Sequence, residues 1–341
     1  MTSRNIKITA KGEVVCVREE LENTPLKEGE ILVRNKASLI STGTELSRVY
    51  GLKKGTVYPV YPGYASIGIV EDTGPQKNLL NFLKGDRVLY SGPHRELFAF
   101  GISEMSSLGM IIKLDSQYDR ISDIDATLLH LGLVAMNGIL PADLKLGDNV
   151  CVFGLGIVGL ITALLYQISG ARVLGIDAVE NRAMHAGNAG LENALSAQGD
   201  EQIKTVTDFF GKEPDICVDA TGITPGIINA IKCCGKNGQV LLLGSPRTDF
   251  TCNATEVFSR IHMNMITVTG AFNGRYPFYR KEGSRESIER NLATFAALIK
   301  NGSIDPKRII SHIVKPEAAM EAYDGLYNKR ETYHCVAFDW S

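Results

Sequence analysis

Several things are missing from these 341 residues, and each absence removes a class of protein. The seven cysteines (Cys16, Cys151, Cys217, Cys233, Cys234, Cys252 and Cys335) form no CxxC pair and keep no regular spacing. They give no disulfide framework and predict reduced thiols in a cytoplasmic protein. No apolar run is long enough to cross a bilayer, and the opening MTSRNIKITAKGEVVCVREE alternates like strands without the apolar core of a signal peptide. Secretion and membrane insertion are therefore not expected. Net charge is scarce too: a formal −2 offers no broad electrostatic grip on nucleic acid or an anionic membrane. What is present, 44% apolar and 22% charged residues, is ordinary for a globular protein, and the length suits two domains that each bury a core. Chemistry on a small-molecule substrate is the expectation.

From Asp148 the chain reads DNVCVFGLGIVGLITALLYQISGARVLGID: an apolar strand, a glycine turn, an apolar helix and a second strand that ends on an acid. This is a complete βαβ unit with Gly154, Gly156 and Gly159 at GxGxxG spacing. In that setting Gly154 permits the tight turn, Gly156 lets the backbone approach a pyrophosphate, and Gly159 lets helix and strand pack closely. Amides of the helix start, at Ile157 and Val158, then face the phosphate charge. Asp177 ends the second strand, where a carboxylate accepts from both hydroxyls of an adenosine ribose and repels a 2′-phosphate, so NAD is the expected cofactor. Arg182 nearby is the one residue suited to NADP. Two later stretches, PDICVDATG and GQVLLLGSPRTDF, read as further strands of the same sheet. Their ends place Thr221, Gly222, Gly244 and Ser245 beside the nicotinamide ribose, or simply in turns.

The order of parts resembles the medium-chain dehydrogenase/reductase superfamily along nearly the whole chain. GEILVRNKASLIS, PVYPGYASIGIVEDTG and LKGDRVLY are similar to successive strands of its GroES-like catalytic domain, and IISHIVKPEAAMEAYDGL is similar to its return to that domain. The resemblance implies an α/β chain with a GroES-like β-rich catalytic domain over residues 1–124 and 273–341 and a Rossmann NAD-binding domain over 125–272. It also exposes a gap. Zinc-dependent members carry Cys-Gly-Thr-Asp-x-His where this chain has Thr42, Gly43, Thr44, Glu45, Leu46 and Ser47, and Gly-His-Glu where it has Gly63, Tyr64 and Ala65. Of the three ligand positions only the one near His130 holds an imidazole, whereas catalytic zinc takes three protein ligands. No cysteine occurs between Cys16 and Cys151, so the four-cysteine structural lobe is missing as well. No metal is expected. A rebuilt site from Glu45, His94 and His130 is chemically conceivable, but no spacing joins them.

If zinc is absent, another group must stabilise the alkoxide that forms as hydride leaves. Tyr64 is the first candidate, its phenol serving as acid or base, although a tyrosine pKa is ordinarily near 10. Glu45 and His130 are alternative proton carriers, and Thr42 is a hydroxyl bridge. For Tyr64 a packed cleft ring and for His130 a buried core histidine are the bland readings. His94, Asn273, Arg275 and Tyr276 are candidate substrate contacts. The leading expectation is a zinc-independent oxidoreductase acting on a secondary alcohol of a sugar, sugar acid or cyclitol. ISTGTE, YPGYASIG and the terminal FDW resemble the zinc-ligand-lacking bacteriochlorophyllide hydroxyethyl dehydrogenase branch, which implies that activity as an alternative. An inactive NAD-binding sensor and a quinone or enone reductase are the others. A homodimer or homotetramer is expected through an edge strand at MITVTGAF.

Overall fold

The computed structural model describes residues 2–20, 25–75, 81–102, 109–246 and 248–341. Two sheets dominate them. The strand Glu30–Leu39 alternates buried and half-buried positions over most of its length, as a sheet with one covered face requires. It pairs antiparallel with Ser66–Thr73, Leu97–Gly101 and Val336–Asp339. Arg87–Tyr90, Ile111–Lys113 and His312–Val314 complete this mostly antiparallel layer. A separate hairpin joins Thr2–Ala10 to Glu13–Glu20.

The second sheet is wholly parallel. Asn149–Phe153 is buried at all five positions, the pattern of a strand covered on both faces. Its order is Ala194–Ser196, Arg172–Asp177, Asn149–Phe153, Ile216–Asp219, Gln239–Leu242 and Thr267–Gly270. The first strand in sequence therefore lies mid-sheet, and the chain reverses direction across it, which opens a crevice beyond the strand ends. The expected α/β architecture, a GroES-like β layer with a doubly wound Rossmann sheet, is what the fold shows.

Helices set the distance between the halves. Leu128–Met136 is largely buried between Ile157–Ile168 and Ile288–Lys300. Gly132 makes this possible: a Cβ there would lie 2.3 Å from the Phe295 ring. Among the described residues no helix is long and apolar enough to cross a membrane.

Candidate active site between the two sheets

The helix Thr42–Val49 begins where the strand Glu30–Leu39 ends, and it points its first turn across at the glycine turn of the parallel sheet. Between them lies a cleft of about 410 Å³. Thr42 and Tyr64 line one side; Gly156, Ile157, Val158 and Gly159 line the other, and His130 and Asn273 also face it.

The glycines do what their spacing requires. Gly154 holds φ +91°, and a Cβ on Gly159 would lie 1.9 Å from the Gly154 carbonyl oxygen. Gly156 has open space in front of it, leaving the helix start bare. Asp177 is 4% exposed; its Oδ2 accepts from the Leu155 amide (2.7 Å) and its Oδ1 from the Val179 amide (2.8 Å). Each oxygen of a carboxylate accepts about two bonds, so a position on each remains for a ribose hydroxyl. Arg182 Nη1 stands 3.7 Å from Asp177 Oδ2 and lines a small side chamber near Gly156, outside the main cleft. Thr221, Gly244 and Ser245 line the cleft, while Gly222 turns behind them at φ +64°.

Asp219, which sequence reasoning passed over, ties these two strand ends together. Its carboxylate accepts from the Thr221 hydroxyl and from the Thr221 and Gly222 amides (3.2 and 3.1 Å). Its carbonyl accepts from the Leu243 and Gly244 amides (2.9 and 2.8 Å). Burial nonetheless pushes its carboxyl above the usual range. An acid ending a strand before a small-residue turn was the available signal.

On the catalytic side, Tyr64 and Ser41 share a short hydroxyl–hydroxyl hydrogen bond, and the rings of Tyr64 and His130 meet edge-on with centroids 5.0 Å apart. His130 is 4% exposed, its Nδ1 has no partner, and burial pushes its pKa down to about 4. The imidazole is therefore neutral near pH 7. Ser41 and Arg48 line the cleft unforeseen; Arg48 is the Lys/Arg-type charge among its lining residues.

Three expected site residues go elsewhere. Glu45 is 1% exposed and lies outside the cleft lining, accepting from the Ser41 amide (2.7 Å), from Tyr323 Oη and from His94 Nε2 (3.0 Å). His94, expected to contact substrate, is fully buried and turned inward, its Nδ1 2.8 Å from Ser38 Oγ. The physical reason is the carboxylate: a buried Glu45 needs several partners, and His94 is one of them. Trp340 Nε1 closes the same network by donating to Ser38 Oγ (2.8 Å). Arg275 is exposed and outside the lining, whereas Tyr276 lines a smaller annex with Asn273 and His130.

The donors present do not suit catalytic zinc. Thr42, Tyr64 and His130 supply one imidazole and no thiolate or carboxylate, and Glu45 and His94 are committed to each other away from the cleft. Among the described residues, no three of His, Cys, Asp and Glu come together as a metal site.

A β-rich domain carrying polar side chains, set across a cleft from a Rossmann glycine turn, is the build of a two-domain dehydrogenase. A profile of the family "Zinc-binding dehydrogenase" matches residues 158–290. L-Threonine 3-dehydrogenase of Cutibacterium acnes is 32% identical over 182 residues, 52% of this chain and 48% of that protein. This chain therefore matches about half the length of that curated relative. Alcohol dehydrogenase 1 of Trifolium repens is 25% identical over 94% of this chain and 93% of its own length. D-Altritol 5-dehydrogenase of Agrobacterium fabrum is 25% identical over 90% and 91%. Among solved structures, galactitol-1-phosphate dehydrogenase from Escherichia coli superposes with TM-score 0.80 at 16% identity over 98% and 99% of the two chains. An alcohol dehydrogenase from E. coli CFT073 complexed with NADH (TM-score 0.75, 16%) and a zinc-binding-type dehydrogenase from Sinorhizobium meliloti 1021 bound to NADP (0.74, 15%) each align over 99% of both chains. The likeness to these structures is one of fold. Residues 158–290 thus match the zinc-binding dehydrogenase family, and the chain is similar to alcohol and polyol dehydrogenases along nearly its whole length.

Proposed function

We propose that this chain is a zinc-independent, NAD-dependent oxidoreductase that moves hydride reversibly between a secondary alcohol of a sugar, sugar acid or cyclitol and nicotinamide. The observation that carries the reading is the hydroxyl pair of Tyr64 and Ser41 beside neutral His130, facing the glycine turn across one cleft. A bound nicotinamide supplies the hydride acceptor. Tyr64 hydrogen-bonds the substrate oxygen and takes its proton while passing its own to Ser41, whose hydroxyl releases its proton in turn to water in the open cleft. His130, kept uncharged by burial, adds a neutral hydrogen bond to the developing alkoxide. Thr42 adds a third polar group to the same wall. Glu45 acts from behind, holding the Ser41 amide and so the start of the helix Thr42–Val49.

Asp177 favours NAD, with two acceptor positions left for the ribose; Arg182, held beside it, offsets part of its charge. The retained polar wall weighs against an inactive sensor. A chlorin substrate is disfavoured because about 410 Å³ must also admit the nicotinamide.

A screen of sugars, cyclitols, quinones and enones, read by NADH absorbance with NAD and NADP in parallel, tests the reading. Activity on an alcohol should survive exhaustive chelation and be greater with NAD, and Asp177→Ala should narrow the gap. Loss of activity on chelation, restored by zinc, would falsify zinc independence; equal or better use of NADP refutes the role of Asp177.

A further inference from the structure

Behind His130 the cleft continues into an annex of about 20 Å³, enough for one water-sized polar group. Its polar lining is dominated by amides: Asn137, Asn273 and Asn291, from three separate segments of the chain. Asn137 is 6% and Asn291 3% exposed, a depth at which asparagine is seldom placed without partners.

The hydrogen bonds fix which way Asn137 faces. Its Nδ2 donates to the Leu133 carbonyl (2.9 Å), to Asn273 Oδ1 (3.0 Å) and more weakly to the Val134 carbonyl (3.3 Å). Three acceptors around one nitrogen leave no alternative assignment of the amide. Its Oδ1 is then buried with no partner, as is His130 Nδ1. Asn291 Oδ1 accepts from Arg290 (3.2 Å), whose charge is answered by Glu286, so neither charge belongs to the annex lining. No Asp, Glu, Lys or Arg lines the annex among the described residues.

Asn137 and His130 are seven residues apart, two turns along one face of the same helical segment, which separates them by about 10 Å along the axis. A small alcohol held at His130 cannot fill both places. A chain of hydroxyl-bearing carbons can. We propose that the annex reads a hydroxyl of the substrate remote from the reacting carbon, which donates to Asn137 Oδ1, and that the substrate is an extended, uncharged polyol. The inference rests on the alcohol-oxidising reading above. A hydroxyl suits the site because it donates to the orphaned oxygen and can accept from a neighbouring amide, whereas a carboxylate or phosphate would bring charge where no cation waits.

The experiment is a ladder of alcohols measured by kcat/KM with NAD: 2-propanol, 2,3-butanediol, a tetritol, a pentitol and a hexitol, with the aldonate of the best polyol. The expected result is a step of ~10-fold or more at the length that reaches Asn137, and no gain for the aldonate. In Asn137→Ala the step should vanish, mainly through KM, while the short alcohols react as before. A purely structural role for Asn137 would depress every rung alike, and that result overturns the inference, as does a native ladder with no step. If no alcohol on the ladder reduces NAD, the reading of the whole site falls and this inference with it.

Discussion

The most informative single atom in the cleft is the Tyr64 hydroxyl. It shares its hydrogen bond with Ser41, whose amide in turn is held by Glu45. Tyr64→Phe deletes that oxygen with little change in shape. On the true substrate kcat should fall by about 10²-fold or more, while NAD affinity by calorimetry stays near native. A near-native kcat would move the proton path to His130. Ser41 shows why this wall was only half legible in sequence: it lies inside the quoted ISTGTE, yet nothing local says that its hydroxyl meets a residue 23 positions away. The same holds for Glu45 and His94. Both are residue types that favour solvent or function, and only the packed structure reveals that they satisfy each other.

Among the elements, the helix Leu128–Met136 is the most exposed to acid. His130 is buried in it, with a pKa lowered to about 4 by desolvation. The unfolded chain binds a proton near 6.5, so it takes up more protons than the native state between about 4 and 6.5. Stability is therefore full above about pH 6.5 and is lost as pH falls through that window, by about 2 kcal/mol between pH 7.5 and 5. Urea midpoints for native protein and His130→Asn at the two pH values check this: the variant should lose less on acidification. Equal slopes would show that other groups carry the acid sensitivity. Elements were where sequence spoke most clearly. The glycine turn and the strand ending at Asp177 stood out because a βαβ unit compresses its signals into about thirty residues. Asp219 offered a local signal in the turn its carboxylate holds, but the reach of its carbonyl to Leu243 and Gly244, and of Asn137 to Asn273, crosses segments and leaves no mark in sequence.

At the scale of the molecule, one surface is conspicuously unfinished. The strand Thr267–Gly270 closes the parallel sheet at an open edge. The preceding helix Ala254–Asn264 buries none of its residues, and Phe258, Met263 and Met265 are 67%, 69% and 54% exposed. An apolar patch beside an unpaired strand edge invites a second copy of the same surface. Light scattering should report a dimer or tetramer at micromolar concentration, and Phe258→Glu with Met263→Glu should shift it toward monomer. A native monomer would contradict this. The two sheets also differ in when they can be made. Every strand of the parallel sheet lies within residues 149–270, whereas Ala37–Leu39, the end of the strand Glu30–Leu39, needs Val336–Asp339 at its flank. At a synthesis rate of 5–20 residues per second, that flank stays bare for roughly 15–60 s after it emerges. The nascent chain thus owns a finished nucleotide-binding half before its other half can close. In the interval the unpaired edge at Ala37–Leu39 is a stretch in need of a chaperone.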